Sequence, residues 1–289
     1  MNCPICSLNS EVVAKDFQGY VEGTSYKIHE CENCDIQFID TSILDKQIYE
    51  IIYSNSNTIG YDRYFKYMEE IKKQSNPLKW LVKQETTYYP ILKYLKDKKK
   101  LKILEVGCGN GYLSYSMKQM GHKVLGLDIS EEAIKNAINN FGDHFIASNL
   151  KDFVLDKFDL IVSNMTIEHI ENPDDFIKNC KRLLNYGGAI LITTPNKDYY
   201  PEGRIWQTEL PPVHTFWFSK RSFEVLARIN YLDYEFVNPQ GQLSGALNKL
   251  SCYLASKRDR PLIPSVNKEG QPFQERISYD TNFRRRLIR

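Results

Sequence analysis

The segment that most constrains the fold is Leu101–Gly111, which reads LKILEVGCGNG. Its first half is a short apolar run of the kind that a buried parallel strand needs. The glycines Gly107, Gly109 and Gly111 follow, and they let the backbone turn sharply and let a ligand approach main-chain N–H groups. Residues 112–117 then have the pattern of a helix start. Strand, glycine turn and helix predict the first unit of an α/β fold whose nucleotide-type ligand lies at the carboxyl ends of parallel strands.

Two carboxylates and one missing glycine narrow the choice of ligand. A dinucleotide fingerprint has glycine or alanine three residues after its second glycine, and this chain has Tyr112 there. Glu105 precedes the first glycine, where its charge disfavours a pyrophosphate and suits a cationic group. The next strand, Lys123–Asp128, ends in a carboxylate that can accept both hydroxyls of a ribose. A ligand with an ammonium group, a ribose and no phosphate is S-adenosylmethionine, which we therefore predict as the cofactor.

At these residues the chain resembles the class I S-adenosylmethionine-dependent methyltransferases. The motifs lie in family order across about one third of the chain, and they are Glu105–Gly111, Asp128, Phe158–Val162, Ile167–Ile170, and Leu183–Gly188 with Ile190–Asn196. Within the family, the chain most resembles the branch that contains the ubiquinone-pathway O-methyltransferases and many enzymes of natural-product and surface-glycan pathways. The resemblance implies a Rossmann-like, doubly wound, mostly parallel sheet of seven strands, and the alternating units along the chain agree with it.

The same resemblance implies which residues bind the cofactor. In the family, the third strand, here residues 145–147, ends at an acid that reads the adenine amino group, and Ser148 and Asn149 stand in its place. Asn149 can accept a hydrogen bond from that amino group, but its amide can also flip and donate. The predicted cofactor-binding residues are Glu105, Gly107, Gly109, Gly111, Asp128, Ile129, Asn149, Asn164 and Met165.

Four cysteines near the start of the chain have the spacing of a metal site. Cys3 and Cys6 form one C-x-x-C pair, Cys31 and Cys34 form another, and 24 residues separate the pairs. Each pair can direct two thiolates to one tetrahedral ion from a tight turn, and strand-like segments lie between the pairs. The arrangement resembles a zinc ribbon. Four thiolates leave no open position for a substrate, so we predict structural zinc, with a redox pair or coincidence as the alternatives.

Residues 41–97 predict several amphipathic helices that are rich in tyrosine. Helical spacing runs through residues 43–53 and 61–71, and Pro77 opens a longer helix that Pro90 bends or splits. One interpretation is that these helices only pack on the core. The other, which we favour for the segment as a whole, is the lid over the cofactor that the family resemblance implies. The tyrosines that would then contact the donor or the acceptor are Tyr49, Tyr53, Tyr61 and Tyr64.

The segment that follows the fourth core strand is the first candidate for catalysis. Glu168 and His169 lie there, and because they are adjacent we expect their side chains to point in different directions. His169 titrates near neutral pH and could remove a proton from an attacking hydroxyl, although a helix start with Glu168 near its N-terminus explains the pair as well. In the ubiquinone-pathway branch the corresponding acid is linked to a divalent cation, but one carboxylate and one histidine are too few ligands to predict such a site.

A long segment between Pro195 and Ser219 carries the remaining candidates. Loops of that length in compact domains are functional or disordered, and its aromatic residues disfavour disorder. His214 is a candidate general base, or it caps the next helix or hydrogen-bonds the loop. The predicted catalytic residues are therefore His214, His169 and Glu168. The predicted substrate-binding residues are Tyr199, Arg204 and Trp206, and Arg204 with Lys197 could hold a phosphate or carboxylate.

These segments predict four regions. They are a zinc ribbon over residues 1–40, a helical lid or linker over 41–97, a methyltransferase core over 98–240 and a C-terminal extension over 241–289. Tyr234–Val237 has the pattern of an edge strand, and residues 242–250 that of a helix. The basic end of the chain is interpreted as a solvated tail, with an RNA contact less favoured and an anionic substrate or a partner subunit left open.

Composition limits the partners. The formal net charge is only +2, which gives no whole-protein field suited to nucleic acid. No apolar stretch is long enough to span a bilayer, and no basic-then-apolar leader begins the chain, so we expect a cytoplasmic protein. We expect its partner to be a small-molecule substrate, and an anionic substrate would agree with the candidate residues. Formation of a homo-oligomer stays open.

Three functions agree with these patterns to different degrees. The first is O-methylation of a sugar, nucleotide-sugar or similar surface-glycan precursor, a substrate class that rests on the resemblance alone. The second is an RNA methyltransferase whose ribbon grips RNA, but residues 1–40 hold only Lys15 and Lys27 against seven acidic residues. The third is a non-catalytic subunit with a methyltransferase fold, which the intact Glu105 and Asp128 disfavour.

Overall fold

The computed structural model describes most of the chain. The described residues are 1–43, 47–58, 60–154, 156–199, 209–237 and 266–271. The sequence-predicted helix over residues 242–250 and the basic end lie outside them, as do Arg204, Trp206 and the side chain of Tyr199.

Residues 1–40, which we call the N-terminal unit, form three antiparallel strands. They are β1 (Glu11–Gln18), β2 (Ser25–Cys31) and β3 (Ile36–Phe38). The two cysteine pairs lie at one end of these strands, and in the second pair the turn back into β3 passes through Asp35 with a φ of 50°. A hairpin between the pairs is the arrangement that the strand-like sequence predicts.

The next region is helical, as its periodicity predicts. It contains α1 (Gln47–Ser54), α2 (Asp62–Glu70), α3 (Pro77–Gln84) and α4 (Tyr89–Leu95). The Asn76 side chain accepts a hydrogen bond from the Lys79 N–H and caps α3. The longer predicted helix is indeed split, but the break is at Glu85, whose backbone is extended, and Pro90 lies in the first turn of α4, where its missing N–H has no cost.

The core alternates strands and helices. Its elements are β4 (Lys102–Val106), α5 (Tyr112–Gln119), β5 (Lys123–Asp128), α6 (Glu131–Phe141), β6 (Phe145–Ala147), β7 (Phe158–Asn164), α7 (Pro173–Arg182) and β8 (Leu184–Thr193), followed by β9 (Phe216–Trp217) and α8 (Lys220–Ile229). Strands β4 to β8 form a parallel sheet in the order β6-β5-β4-β7-β8. The order reverses beside β4, and in such sheets ligands bind in the crevice at the carboxyl ends of the strands on either side of the reversal.

The prediction of seven core strands is only partly met. Within the described residues the core sheet has five strands, and Tyr234–Val237, predicted as an edge strand, forms none. The apolar spacing from Pro173 through Leu184, followed by Gly187 and Gly188, predicts one helix that ends at the glycines, but α7 ends at Arg182 and Leu184 already pairs with Phe158 of β7. A register shift between Phe158 and Leu160 lets the extra residues around the two glycines bulge before regular pairing resumes.

The core sheet is buried on both faces, which explains its nearly continuous apolar strands. Alternate residues point to opposite faces, so Ile103 of β4 packs in one apolar cluster with α3, α4 and α5, while Leu104 packs in the other with α7 and α8. The second cluster also contains Phe38 of the N-terminal unit. Strand β3 pairs with β9, so the N-terminal unit and the segment after the long loop share one sheet in the order β1-β2-β3-β9.

No helix within the described ranges is long and apolar enough to cross a membrane.

Candidate functional site

A cavity of about 640 Å³ opens at the predicted crevice, at the carboxyl ends of β4, β5 and β7. Its volume falls in the range of small-molecule sites, roughly 300–1,000 Å³. Predicted cofactor residues on its wall are Glu105, Gly107, Gly109, Asp128, Ile129, Asn149, Asn164 and Met165. Gly111 lies behind the wall as the left-handed residue before α5, where an added Cβ would lie 2.7 Å from the Phe145 ring.

Glu105 is a buried carboxylate without a cationic partner among the described contacts. Only 3% of its surface is exposed, and Oε2 accepts a hydrogen bond from the Ser114 hydroxyl at 2.5 Å. Burial raises the pKa of Glu105 to about 8, against the lowering effect of Ser114. A ligand's ammonium group at this end of the cavity would supply the missing positive charge. The residue therefore fits the amino-acid end of S-adenosylmethionine.

Asp128 is held by the backbone at the end of β5. Its Oδ2 accepts from the Gly109 N–H at 2.8 Å and its Oδ1 from the Ser130 N–H at 3.0 Å. Each oxygen keeps a second lone pair, so the carboxylate can still accept both hydroxyls of a ribose. Burial raises the pKa of Asp128 from its usual value, and the backbone donors oppose that rise.

The turn at Gly109 leaves no room for a side chain. Its φ is +49°, in the left-handed region, and an added Cβ would lie 3.0 Å from the hydroxyl oxygen of Tyr53. Tyr53 belongs to α1, so the helical region closes over the glycine turn. Tyr49, Tyr61 and Tyr64 line the same cavity, which is the placement that the lid interpretation requires.

The end of the cavity assigned to adenine is less specific. Ile129 is half exposed and offers an apolar surface to the cavity. The Asn149 Oδ1 accepts from the Lys151 N–H at 3.1 Å, so the amide oxygen is oriented by its own turn. One lone pair of that oxygen stays available to an amino group.

The backbone after β7 is unusual. The Asn164 Oδ1 accepts hydrogen bonds from the hydroxyls of Thr87 and Thr193, at 2.9 and 2.7 Å, which fixes the amide on the cavity wall. Met165 follows with a φ of 54°, a backbone conformation that residues other than glycine rarely adopt. Such residues concentrate at ligand sites, where surrounding contacts hold them.

Glu168, His169 and His214 converge, which the sequence analysis did not expect. The expectation that Glu168 and His169 diverge is wrong: in the short 3₁₀ turn Ile167–His169 their Oε1 and Nε2 atoms lie 4.0 Å apart. His214, from the other end of the long loop, stacks edge-on to His169 with ring centroids 4.6 Å apart. One donor atom from each residue lies within 4.8 Å of the others, and we call these three residues the acid–histidine cluster.

Burial controls the charge of the acid–histidine cluster. Desolvation raises the pKa of Glu168 to about 8, while Thr194 donates to its Oε2 at 2.8 Å and its Oε1 has no hydrogen-bond partner in the described part of the chain. Desolvation lowers the pKa of His169 to about 4, so His169 does not titrate near neutral pH as expected. Desolvation and the neighbouring His169 lower the pKa of His214 well below its usual value. At neutral pH all three groups are therefore uncharged.

The tautomer of His169 follows from its contacts. Its Nδ1 lies 2.6 Å from the carbonyl oxygen of Val213, and because that oxygen only accepts, Nδ1 must carry the proton. The Nε2 atom then carries a lone pair that can accept a proton. His169 and His214 both lie on the cavity wall, and the Nδ1 of His214 is buried without a hydrogen-bond partner among the described residues. The cluster thus presents proton acceptors to the cavity, and its two nitrogens and one carboxylate oxygen are also a donor set that a divalent cation could use.

The predicted substrate-binding residues are only partly placed. Arg204, Trp206 and the side chain of Tyr199 lie outside the described residues. Lys197, predicted to hold an anion of the substrate, instead forms ion pairs with Glu30 and Asp35 of the N-terminal unit. Both acids face it from the adjacent strands, so its charge is already balanced inside the protein.

Arg63 is a cavity residue that the sequence analysis missed. Its Nε donates to the Glu85 Oε1 at 3.0 Å and its Nη2 to the Tyr64 hydroxyl at 2.8 Å. The guanidinium lies 4.5 Å from the centre of the Tyr64 ring, a cation–π contact. Helical spacing gave no signal for it, because adjacent residues on a helix do not share a face and its partner Glu85 lies 22 residues later in the chain.

The four cysteines of the N-terminal unit are gathered at one point. Their sulfur atoms lie within 4.8 Å of one another, and the Cys6 and Cys31 sulfurs are 3.6 Å apart. Two sulfurs on a tetrahedral zinc ion with bonds of about 2.3 Å are about 3.8 Å apart, whereas a disulfide needs about 2.05 Å. The Ile5 N–H also points at the Cys3 sulfur at 3.4 Å, and hydrogen bonding from Cys34 lowers the pKa of Cys3 to about 5. The donor set therefore fits a tetrahedral metal ion.

Comparison with known proteins identifies the family to which the core of this chain is similar. The profile of a family described as a methyltransferase domain matches residues 81–230, which are 150 of the 289 residues. A ubiquinone biosynthesis O-methyltransferase of Glaesserella parasuis is 33% identical over 122 residues, covering 37% of this chain and 52% of the relative. One of Caulobacter sp. is 29% identical over 105 residues, covering 34% and 42%. The chain thus spans about half the length of the curated relatives it matches.

A solved structure agrees in fold. An S-adenosylmethionine-dependent methyltransferase from Mesorhizobium loti superposes with a TM-score of 0.50 at 21% sequence identity, covering 63% of this chain and 96% of that one. At that identity the likeness concerns the Rossmann-like fold alone.

Proposed function

The chain belongs to the methyltransferase-domain family and is an S-adenosylmethionine-dependent methyltransferase, and from this premise we propose that it O-methylates a small molecule, a sugar, nucleotide-sugar or similar surface-glycan precursor. The observation that carries the choice of oxygen is the acid–histidine cluster, which sets uncharged imidazoles beside the donor crevice. A hydroxyl acceptor must lose a proton as it attacks, and a positioned base meets that need.

The donor supplies a methyl group already activated by its positive sulfur. Glu105 would hold the ammonium group of the donor, and Asp128 would hold its ribose. The transferable methyl group would then lie toward Met165 and the acid–histidine cluster. The lid tyrosines exclude water, and alignment of the two reactants supplies much of the rate. As the acceptor oxygen bonds to the methyl carbon, the carbon–sulfur bond breaks and its electron pair stays on sulfur.

We assign the acceptor's proton to His214. Among the described residues its buried Nδ1 has no hydrogen-bond partner, and the residue lines the cavity. The hydrogen bond to the Val213 carbonyl would orient His169 beside His214. Glu168 can ionise and so balance the positive charge that the His214 imidazole gains. A divalent cation held by the same three residues is the competing arrangement, and it predicts that methyl transfer by a chain that still holds its zinc requires added Mg²⁺ or Mn²⁺.

The acceptor class is supported by the wall of the cavity and by family resemblance. Four lid tyrosines offer ring faces and hydroxyls, which suit a polyol. The relatives named for ubiquinone biosynthesis support a second acceptor, a ubiquinone precursor. The acidic N-terminal unit disfavours RNA.

We also propose that Cys3, Cys6, Cys31 and Cys34 hold a structural zinc ion. The tetrahedral spacing of the sulfurs supports it. Metal analysis of the purified chain should find one zinc per chain.

The test incubates the full chain with S-adenosylmethionine labelled in its transferable methyl and a panel of nucleotide-sugars, a ubiquinone precursor and total RNA. We expect label in a nucleotide-sugar, loss of donor binding in Asp128→Asn, and loss of transfer with donor binding kept in His214→Gln. Label in RNA alone would reject the proposal. Donor binding without transfer to any class would favour a non-catalytic subunit.

A further inference from the structure

Thr215 is a buried residue that contacts the acid–histidine cluster without belonging to it. Its Oγ1 lies 2.8 Å from the carbonyl oxygen of Ile170 and 3.0 Å from that of Glu168, and its side chain is fully buried. Carbonyl oxygens only accept, so the single hydroxyl proton of Thr215 is donated to this pair of oxygens. Its backbone N–H donates to the same Glu168 carbonyl at 2.8 Å.

The neighbouring residues complete a clamp on the turn that carries Glu168 and His169. The Val213 carbonyl accepts from the Nδ1 of His169 at 2.6 Å, two residues before Thr215. His214 lies between the two contacts, so the segment 213–215 both carries one histidine and holds the other. The distance between the two imidazoles therefore depends on hydrogen bonds from both ends of this segment, at Val213, where the Tyr49 hydroxyl also donates at 3.1 Å, and at Thr215.

The opposite side of Thr215 is fixed by the N-terminal unit. Its carbonyl oxygen accepts from the Ile39 N–H at 3.0 Å, and the next residue, Phe216, pairs with Phe38 of β3. Strand β3 is thus the support against which the clamp is held.

We propose that Thr215 is a positioning residue for the acceptor half of the site, which holds the turn carrying Glu168 and His169 at a fixed distance from His214 with strand β3 as its support. Its importance for catalysis rests on the proposed function, in which the cluster takes the acceptor's proton. The clamp itself can be measured without any acceptor.

The first measurement follows the Nδ1 proton of His169 by NMR in the full chain with ¹⁵N-labelled histidine. A buried, short N–H···O bond gives a downfield proton that exchanges slowly with water, and its loss in His169→Gln assigns it. Thr215→Val keeps the shape of the side chain but removes the hydroxyl donor, so we expect this proton to exchange about tenfold faster or more, the population change for losing one net hydrogen bond. Thr215→Ser keeps the donor and should keep the slow exchange.

Thr24→Val is the matched control. Its hydroxyl also donates to a carbonyl oxygen, that of Val21 at 2.6 Å, but in a turn of the N-terminal unit away from the cluster. The His169 proton should exchange at the wild-type rate in this variant. If Thr215→Val does not fold, Thr215→Cys, whose thiol is a weak donor, should give an exchange rate between those of the wild type and an unprotected imidazole.

The second measurement separates positioning from catalysis. Donor affinity, measured by calorimetry, should be unchanged in Thr215→Val, while kcat for the acceptor found in the panel falls about tenfold or more and KM changes little. Wild-type exchange of the His169 proton in Thr215→Val would overturn the proposal. Fast exchange in Thr215→Val, combined with full methyl transfer in both Thr215→Val and His214→Gln, would support the clamp and reject His214 as the base.

Discussion

Donor affinity should depend on pH through Glu105, and Glu105→Gln tests this. Burial holds the pKa of this carboxyl at about 8 in the donor-free chain, so it is protonated at pH 6. The donor's ammonium pairs with the carboxylate, so binding at low pH must release the proton. Affinity should therefore rise about tenfold per pH unit well below pH 8 and less steeply near it, which for Glu105 alone is about 50-fold between pH 6 and pH 8, because only half of the carboxyl is ionised at its pKa.

The rise has an upper end that the ligand sets. The donor's α-amino group has an ordinary pKa of about 8 and loses its charge above that pH. The affinity should therefore pass through a maximum near pH 8. Isothermal titration calorimetry at pH 6, 7 and 8, in buffers of different ionisation enthalpy, measures both the affinity and the proton released on binding.

Variants isolate the contribution of Glu105. Glu105→Gln keeps a hydrogen-bond acceptor but cannot ionise, so its affinity should stay nearly constant from pH 6 to pH 8. Glu168 also has a pKa of about 8, and Glu168→Gln should keep the rise because that carboxyl belongs to the acid–histidine cluster and not to the end of the cavity assigned to the ammonium group. Asp128→Asn should bind more weakly throughout, with the rise moved to lower pH because the Asp128 charge raises the pKa of Glu105. A flat profile in the wild type, or an equal slope in Glu105→Gln, would refute the reasoning.

Three further outcomes are expected. Gly109→Ala should weaken donor binding about tenfold or more in calorimetry, because it strains a left-handed residue and brings a methyl group to 3.0 Å from a lid hydroxyl, whereas Gly121→Ala, with a φ of +92° but open space around its Cβ, should keep donor affinity. Cys34→Ser should lose zinc in metal analysis and unfold at a lower temperature, whereas Cys180→Ser should keep its metal. At saturating donor, kcat for methyl transfer should not fall through the usual histidine range, because burial lowers the pKa of His214 well below its ordinary value; a kcat that falls with an apparent pKa near 6.5 would mean that the imidazole is solvated.

The donor half of the site could be predicted because its parts are close in sequence. The strand, the glycine turn and the helix start lie within residues 102–119, and Asp128 follows on the adjacent strand of a parallel sheet. Parallel pairing fixes where that strand ends relative to the turn, so the ribose contact follows from local pattern and sheet geometry. The lid tyrosines were predicted as a group for a similar reason, since helical spacing sets which side chains share a face.

The predictions that failed depend on contacts between distant segments. Adjacent side chains diverge in a strand, but the 3₁₀ turn at Ile167–His169 brings the acid and the imidazole to one side. The charge of Lys197 suggested an anion site, yet its partners come from the N-terminal unit more than 160 residues earlier. The start of β8 depends on its register with β7, which no local pattern encodes.

The two halves of the site therefore differ in what holds them. The donor half rests on the core sheet and the lid helix that covers it, whereas the acceptor half is assembled from the turn after β7, the end of the long loop and the edge of the N-terminal unit, joined at Ile39 and Thr215. Because β3 has only three residues and β9 only two, their pairing is short, and a metal held by the four cysteines would brace the strands that lead into it. Loss of the metal should therefore loosen the acceptor half first and leave Glu105 and Asp128 in place. It follows that a chelated chain should bind the donor with nearly the wild-type affinity while its rate of methyl transfer falls, and an equal loss of both would mean that the metal supports the whole fold instead.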